Sequence, residues 1–150
     1  MKFMISYFAN MRNFTSNMIP ISTAVWDPKW FHKPDEPIFK DRHNLYNGIK
    51  YESLVPGLQC SCLCYGPETC SYTEQSTCPF LTKYKEQLDN LDFELVIKEL
   101  TDIGNAIATH ENFDNPIIVL MVYETPTNPC SERHVLRKWF AEHGYELKEV

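Results

Sequence analysis

The chain has 150 residues, 43% of them in the AVILMFWYC set and 13% aromatic, the profile of a folded globule rather than a disordered tail. This length suits one domain. A mean hydropathy of −0.36, with no apolar run near ~18 residues, excludes a membrane-spanning helix, and a net charge of −6 argues against a general nucleic-acid coat.

Lys2–Ala9 reads as a first buried strand. Ser6 and Tyr7 interrupt its apolar run and no small-x-small pattern follows Asn10 and Arg12, so it lacks the grammar of a signal peptide. A cytoplasmic, reducing compartment is therefore expected, where clustered cysteines serve more often as metal ligands or redox groups than as disulfides. Asn10 to Asn17 forms a polar turn region, and Ile19–Val25 is a second short, β-branched strand.

Next comes Trp26-Asp27-Pro28-Lys29-Trp30-Phe31-His32. Pro28 cannot continue a sheet ladder, so this is a loop at the strand's carboxyl end. Indole faces at Trp26 and Trp30 can stack on a ring while Lys29 meets a phosphate. In the competing reading both indoles roof the core and Lys29 reaches solvent. Residues 33–56, with Pro34, Pro37, Gly48 and Pro56, look like an irregular excursion. The first fifty residues carry seven basic and four acidic side chains, net +3, against −5 and −4 for the following two fifties. Arg12, Lys29, Lys33, Lys40 and Arg42 thus make the early loops the part of the surface suited to an anion, a nucleic-acid backbone included.

Cysteine usage is the unusual feature. Of six cysteines, five fall between Cys60 and Cys78, in a stretch poor in aliphatic residues and bounded by Gly57 and Pro79. Four thiolates can close a tetrahedral zinc shell and replace a core that such a segment cannot build. Cys60, Cys64, Cys70 and Cys78 are the expected ligands, with Cys62 spare. The expected cofactor is structural zinc, with an iron–sulfur cluster or disulfide and redox pairs of the cysteines as the alternatives. The segment, about residues 57–79, is then an insertion in a single domain spanning 1–150.

Phe80, Tyr84 and Leu88 step by four along a short amphipathic helix ending near Asn90. Asp92 caps a longer one, in which Val96, Leu100, Ile103 and Ile107 recur at three and four. Gly104 in its middle marks a close helix–sheet contact. Ile117–Tyr123 is a continuous apolar run, suited to a strand covered on both faces in a parallel sheet. A last helix from Glu132 to His143 buries Val135, Leu136, Trp139 and Phe140, Gly144 stops it, and Tyr145–Val150 returns as a strand. The fold class is α/β: one compact domain with a mostly parallel, Rossmann-like open sheet, whose ligands sit beyond the carboxyl ends of the strands.

That rule points to the loop after Val25 and to the loop after Tyr123. The second runs through Glu124 and Cys130-Ser131-Glu132-Arg133-His134. Cys130 falls at or just before a helix N-terminus, where free amides and the dipole favour a thiolate or an anionic ligand. Arg133 adds a guanidinium fork, with Arg137 one turn on and Glu124 able to pair with either. In the competing reading Ser131 is an N-cap, Glu132 a first-turn acid and Cys130 a packed thiol.

The chain resembles the family called "domain of unknown function 488", small single-domain proteins of bacteria and phages. The likeness rests on Ile5-Ser6-Tyr7-Phe8-Ala9, Ile19-Pro20-Ile21-Ser22, Trp26-Asp27-Pro28-Lys29-Trp30-Phe31 and, more weakly, Tyr51–Pro56. It continues from Ile117 through Cys130, Arg133 and His134 to Trp139-Phe140 and Gly144. The resemblance implies a compact α/β fold with a cysteine-histidine-arginine signature on a strand–loop–helix, and no defined reaction. Here residues intervene between Cys130 and Arg133, so only Cys130, Arg133 and His134 carry over. Two functions are expected from these readings. The first is binding or processing of an anionic nucleotide- or base-like molecule. Cys130 and Arg133 would then be the chemical groups, and Trp26, Lys29, Trp30, Arg133 and His134 the binding groups. The second is a non-catalytic zinc-braced module contacting protein or nucleic acid. Neither expectation involves a membrane or sets an oligomeric state.

Overall fold

The computed structural model describes residues 1–58 and 78–150. The core is a four-stranded parallel sheet built from β1 (Lys2–Tyr7), β2 (Met18–Ser22), β5 (Ile117–Val122) and β6 (Lys148–Glu149), in the order β2-β5-β1-β6. A separate antiparallel hairpin pairs β3 (Phe39–Lys40) with β4 (Tyr46–Asn47). The helices are α1 (Pro79–Asp89), α2 (Phe93–Glu111) and α3 (Arg133–Glu142). None of the described helices is long and apolar enough to cross a membrane.

The apolar run at Ile117–Val122 lies between β1 and β2 and is the central strand its composition suggests, with Ile118 to Val122 all fully buried. Register then sorts the side chains. Ile118 stands beside Phe3 and Ile19, and Leu120 beside Ile5 and Ile21. With a side-chain period of two, this set faces one side of the sheet. There it packs on Phe80, Tyr84 and Leu88 of α1, Phe93, Val96 and Leu100 of α2, and Leu136, Trp139 and Phe140 of α3. Met4, Val119 and Met121 face the other side, which Phe8, Met11, Phe31 and Leu45 cover. The three described helices therefore share one face. Among the described residues the opposite face is covered by short 3-10 turns and loops, so the parallel sheet lacks there the two-sided helical cover of a Rossmann-like fold. Pro20, which has no N–H to donate, sits in the edge strand β2, as a ladder requires.

Local signals account for the helix ends. Asp92 accepts a hydrogen bond from the Leu95 amide at 3.2 Å and caps α2. A Cβ at Gly104 would stand 2.9 Å from Met1 Cε and 3.0 Å from Ile118 Cδ1, so this helix does approach the sheet where its glycine lies. Gly144 stops the last helix with φ +84°. The expected strands shorten at their ends. Phe8–Asn13 leaves β1 as a 3-10 turn rather than extended chain, and only Lys148–Glu149 of the last segment pairs. Buried Phe8 and Met11 account for the first change, because the turn lays both on the sheet.

The excursion of residues 33–56 is ordered by its hairpin. Gly48 (φ +92°) lies where a Cβ would meet the Pro37 carbonyl oxygen at 2.0 Å, so only glycine fits. Beyond it the chain runs alongside β2. Ser22 N–H donates to Ile49 O at 2.8 Å and Tyr51 N–H to Ser22 O at 3.0 Å, with Lys50 between them.

Of the expected metal ligands, Cys60, Cys64 and Cys70, with the spare Cys62, lie outside the described residues, as does most of the expected insertion. Cys78 is described. It precedes α1, is 7% exposed and packs in the helical-face core.

Candidate functional site at the carboxyl ends of the strands

β2 and β5 end side by side, Ser22 beside Met121, and the loops that follow form two polar clusters. The first is centred on Asp27. Its carboxylate is only 4% exposed and accepts from Ser22 Oγ, from His32 Nε2 at 2.6 Å and from Lys50 Nζ at 3.4 Å. Ser22 Oγ in turn accepts the Ala24 amide at 3.3 Å, and Thr23 Oγ1 donates to Met121 O at 3.2 Å. A carboxylate so enclosed is costly unless paired, and here one lysine, one imidazole and one hydroxyl meet it.

Above this hub the ring side chains stand in solvent. Trp26 is 78% exposed and Trp30 53%, the latter meeting Phe8 and Phe31 edge-on at centroid distances of 6.2 and 6.3 Å. Trp26 therefore does not roof the core, and Trp30 does so along one edge only. Lys29 opens the 3-10 turn Lys29–Phe31 and is exposed.

The second cluster surrounds Arg133. α3 begins at Arg133 itself, so Cys130 lies in the preceding turn, its amide held by Asn128 Oδ1 at 2.8 Å, and is half-buried. Arg133 is fully buried. Its Nη1 donates to both Glu149 oxygens at 3.1 Å and its Nη2 to the Glu124 carbonyl at 2.6 Å, while Nε has no partner among the described residues. The guanidinium fork thus binds β6 and the β5 loop, instead of facing an open anion site. Ser131 Oγ accepts the Arg133 amide and donates to Glu124 at 3.2 Å, close to the capping role its residue type suggests. Burial, together with the charge of Glu124, pushes the Glu132 carboxyl up to about 8. His134 Nε2 is spent on Asn128 O at 3.0 Å. The same histidine lines a cavity of about 410 Å³ between α1 and α3, with Lys85 and Lys138. Around Arg133, Glu124 and Glu149 meet the guanidinium, while Glu132 is held largely protonated by its burial.

The structure therefore brings Trp26, Lys29 and Trp30 together on one loop and Cys130, Arg133 and His134 on the next. Sequence reasoning missed Ser22, Asp27, His32 and Lys50 as a unit. Asp27 and His32 flank the quoted indoles and were legible as polar residues at a strand end. Lys50 carried no signal, because only the Ile49–Tyr51 pairing on β2 delivers it. Among the described residues no group of three or more His, Cys, Asp or Glu side chains is arranged to hold a metal ion. No family model, curated protein or solved structure matches the chain.

Proposed function

We propose that the chain binds a small anionic molecule bearing an aromatic ring, of the nucleotide class, beyond the carboxyl ends of β2 and β5. We further propose that it is a divergent relative of the domain of unknown function 488 proteins. The observation that carries the binding reading is the exposure of Trp26 and Trp30 on a loop whose base is fixed by the buried, fully partnered Asp27. Solvent-facing indoles on a loop anchored at its base can stack on a ring, and Lys29 between them supplies charge for a phosphate. The reading moves the ligand's charged end away from Arg133, whose fork is engaged by Glu149. Cys130 stays within the neighbouring loop as the one candidate nucleophile there. Zinc held by Cys60, Cys64, Cys70 and Cys78 remains a separate proposal, and of these only Cys78 lies among the described residues.

The test is quenching of tryptophan fluorescence during titration with AMP, adenosine and inorganic phosphate. Saturable quenching by AMP and adenosine is expected, with Trp26→Ala and Trp30→Ala each weakening it by about tenfold, the worth of one ring stack. No saturable change up to about 5 mM nucleotide, weaker than any affinity of use, sinks the reading.

A further inference from the structure

We propose that His32 is the residue that contacts the charged, phosphoryl end of this ligand, and that its proton sets the affinity. The inference rests on the ring-binding reading and adds a residue to it.

The geometry assigns the proton. A carboxylate only accepts, so the His32 nitrogen 2.6 Å from Asp27, Nε2, carries hydrogen in either charge state. Nδ1 has no partner among the described residues, and the side chain is 45% exposed. The ring is also fixed in plane, its edge against Phe31 at a centroid distance of 5.3 Å and an angle of 85°. His32 thus keeps one ring nitrogen without a partner among the described residues, on the loop that carries Trp26 and Trp30. When neutral, that nitrogen offers a lone pair, which repels a phosphoryl oxygen. When protonated, it offers a charged N–H.

The surrounding charges make this proton decisive. Asp27 and Lys50 face the imidazole and cancel each other. Lys33, the next residue, is held over the Phe39 ring at 4.3 Å and lies 3.9 Å from Glu36, another cancelling pair. Lys29, whose carbonyl accepts the His32 amide at 3.3 Å, and exposed Asp35 are the remaining charges of residues 26–36. They are opposite in sign, so protonating His32 gives the segment its net positive charge. A merely structural His32 would serve only to pair Asp27, and Lys50 and Ser22 already do that.

A phosphate monoester changes its own charge near pH ~6, which would mask the effect. The probe is therefore adenosine 5′-methylphosphate, a diester of fixed charge, with adenosine as the ring-only control, titrated by tryptophan fluorescence. The diester is expected to bind about tenfold tighter at pH about 5.5 than at pH about 8, the worth of one charge-assisted hydrogen bond, while adenosine does not change. His32→Gln should flatten the diester profile at the weak level and His32→Arg at the tight level, each read as the ratio of diester to adenosine affinity in the same variant. Thermal melting of both variants verifies folding, which an exposed position tolerates. A flat wild-type profile with the diester bound, or an unchanged slope in His32→Gln, overturns the role of His32 and leaves the ring reading intact. Quenching by neither ligand overturns the ring reading and this inference with it.

Discussion

Glu132 lies buried beside Glu124 where α3 begins. Glu132 is 4% exposed, and burial first, then the charge of Glu124, push its carboxyl up to about 8. Ser131 Oγ, bonded to Glu124, and Arg133, the next residue, complete the surroundings.

The raised carboxyl makes stability fall with alkali. The folded chain holds a proton that the unfolded chain releases near 4.5, so between about pH 4.5 and about 8 each step up in pH disfavours folding. Glu132→Gln keeps a neutral donor and removes the slope. Chemical denaturation at about pH 5 and about pH 8.5 should show the wild type losing on the order of 2–4 kcal/mol and the variant nearly none. An equal loss in both places the proton elsewhere.

Arg133 and Glu149 tie α3 to a strand that pairs at only two positions, Met4 with Lys148 and Ile5 with Glu149. Arg133→Met should cost about 3–5 kcal/mol, because it strands Glu149 and the Glu124 carbonyl. Arg133→Met with Glu149→Met should recover much of that loss. Urea unfolding measures both, and a double variant no more stable than the single one contradicts the pairing.

Glu111 joins the hairpin to the end of α2. It accepts from Lys40 Nζ, from Tyr46 Oη at 2.5 Å and from His110 Nδ1 at 3.0 Å, and these partners, Lys40 first, hold its carboxyl down to about 2. A depressed acid stabilises above its unfolded value of 4.5 and loses that contribution as pH falls toward about 2. Burial, then Glu111, pushes the Tyr46 hydroxyl up to about 12. Glu111→Gln should flatten the acid limb of stability and move Tyr46 part of the way back toward 10, followed by its phenolate absorbance. A Tyr46 titration identical to wild type rules out this contact.

Gly104 sets helix propensity against space. Alanine would gain about 1 kcal/mol in the helix, and overpacking Ile118 would cost about 1–3 kcal/mol. Gly104→Ala is expected to lose about 1 kcal/mol and Gly104→Leu considerably more. A stabilised alanine variant would mean that Met1 and Ile118 move aside freely.

The elements legible from the chain are those whose cause is local. Asp92, Gly104 and Gly144 act within a turn or two of themselves, and the run at Ile117–Val122 announces its own burial. The Asp27 hub is different in kind. His32 reaches it across five residues but Lys50 across twenty-three, and only the bridge beside Ser22 brings that lysine in. Arg133 illustrates the same limit from the other side. Its residue type suggested a ligand contact, and nothing near it in sequence revealed that Glu149 would occupy the fork. The two-residue length of β6 was equally invisible, since pairing partners rather than composition decide where a strand ends.

The placement of the described helices on one face gives adjacent residues of β5 separate employers. Leu120 belongs to the helical interior and Met121 to the side roofed by Phe8, Phe31 and Leu45, which belong to the turns and hairpin around the Trp26 loop. Substitutions in those turns reach the Trp26 loop from the Met121 side and leave the Leu120 side untouched. The proposed binding loop and the helical core thus rest on alternate positions of a single strand, and each can vary on its own schedule.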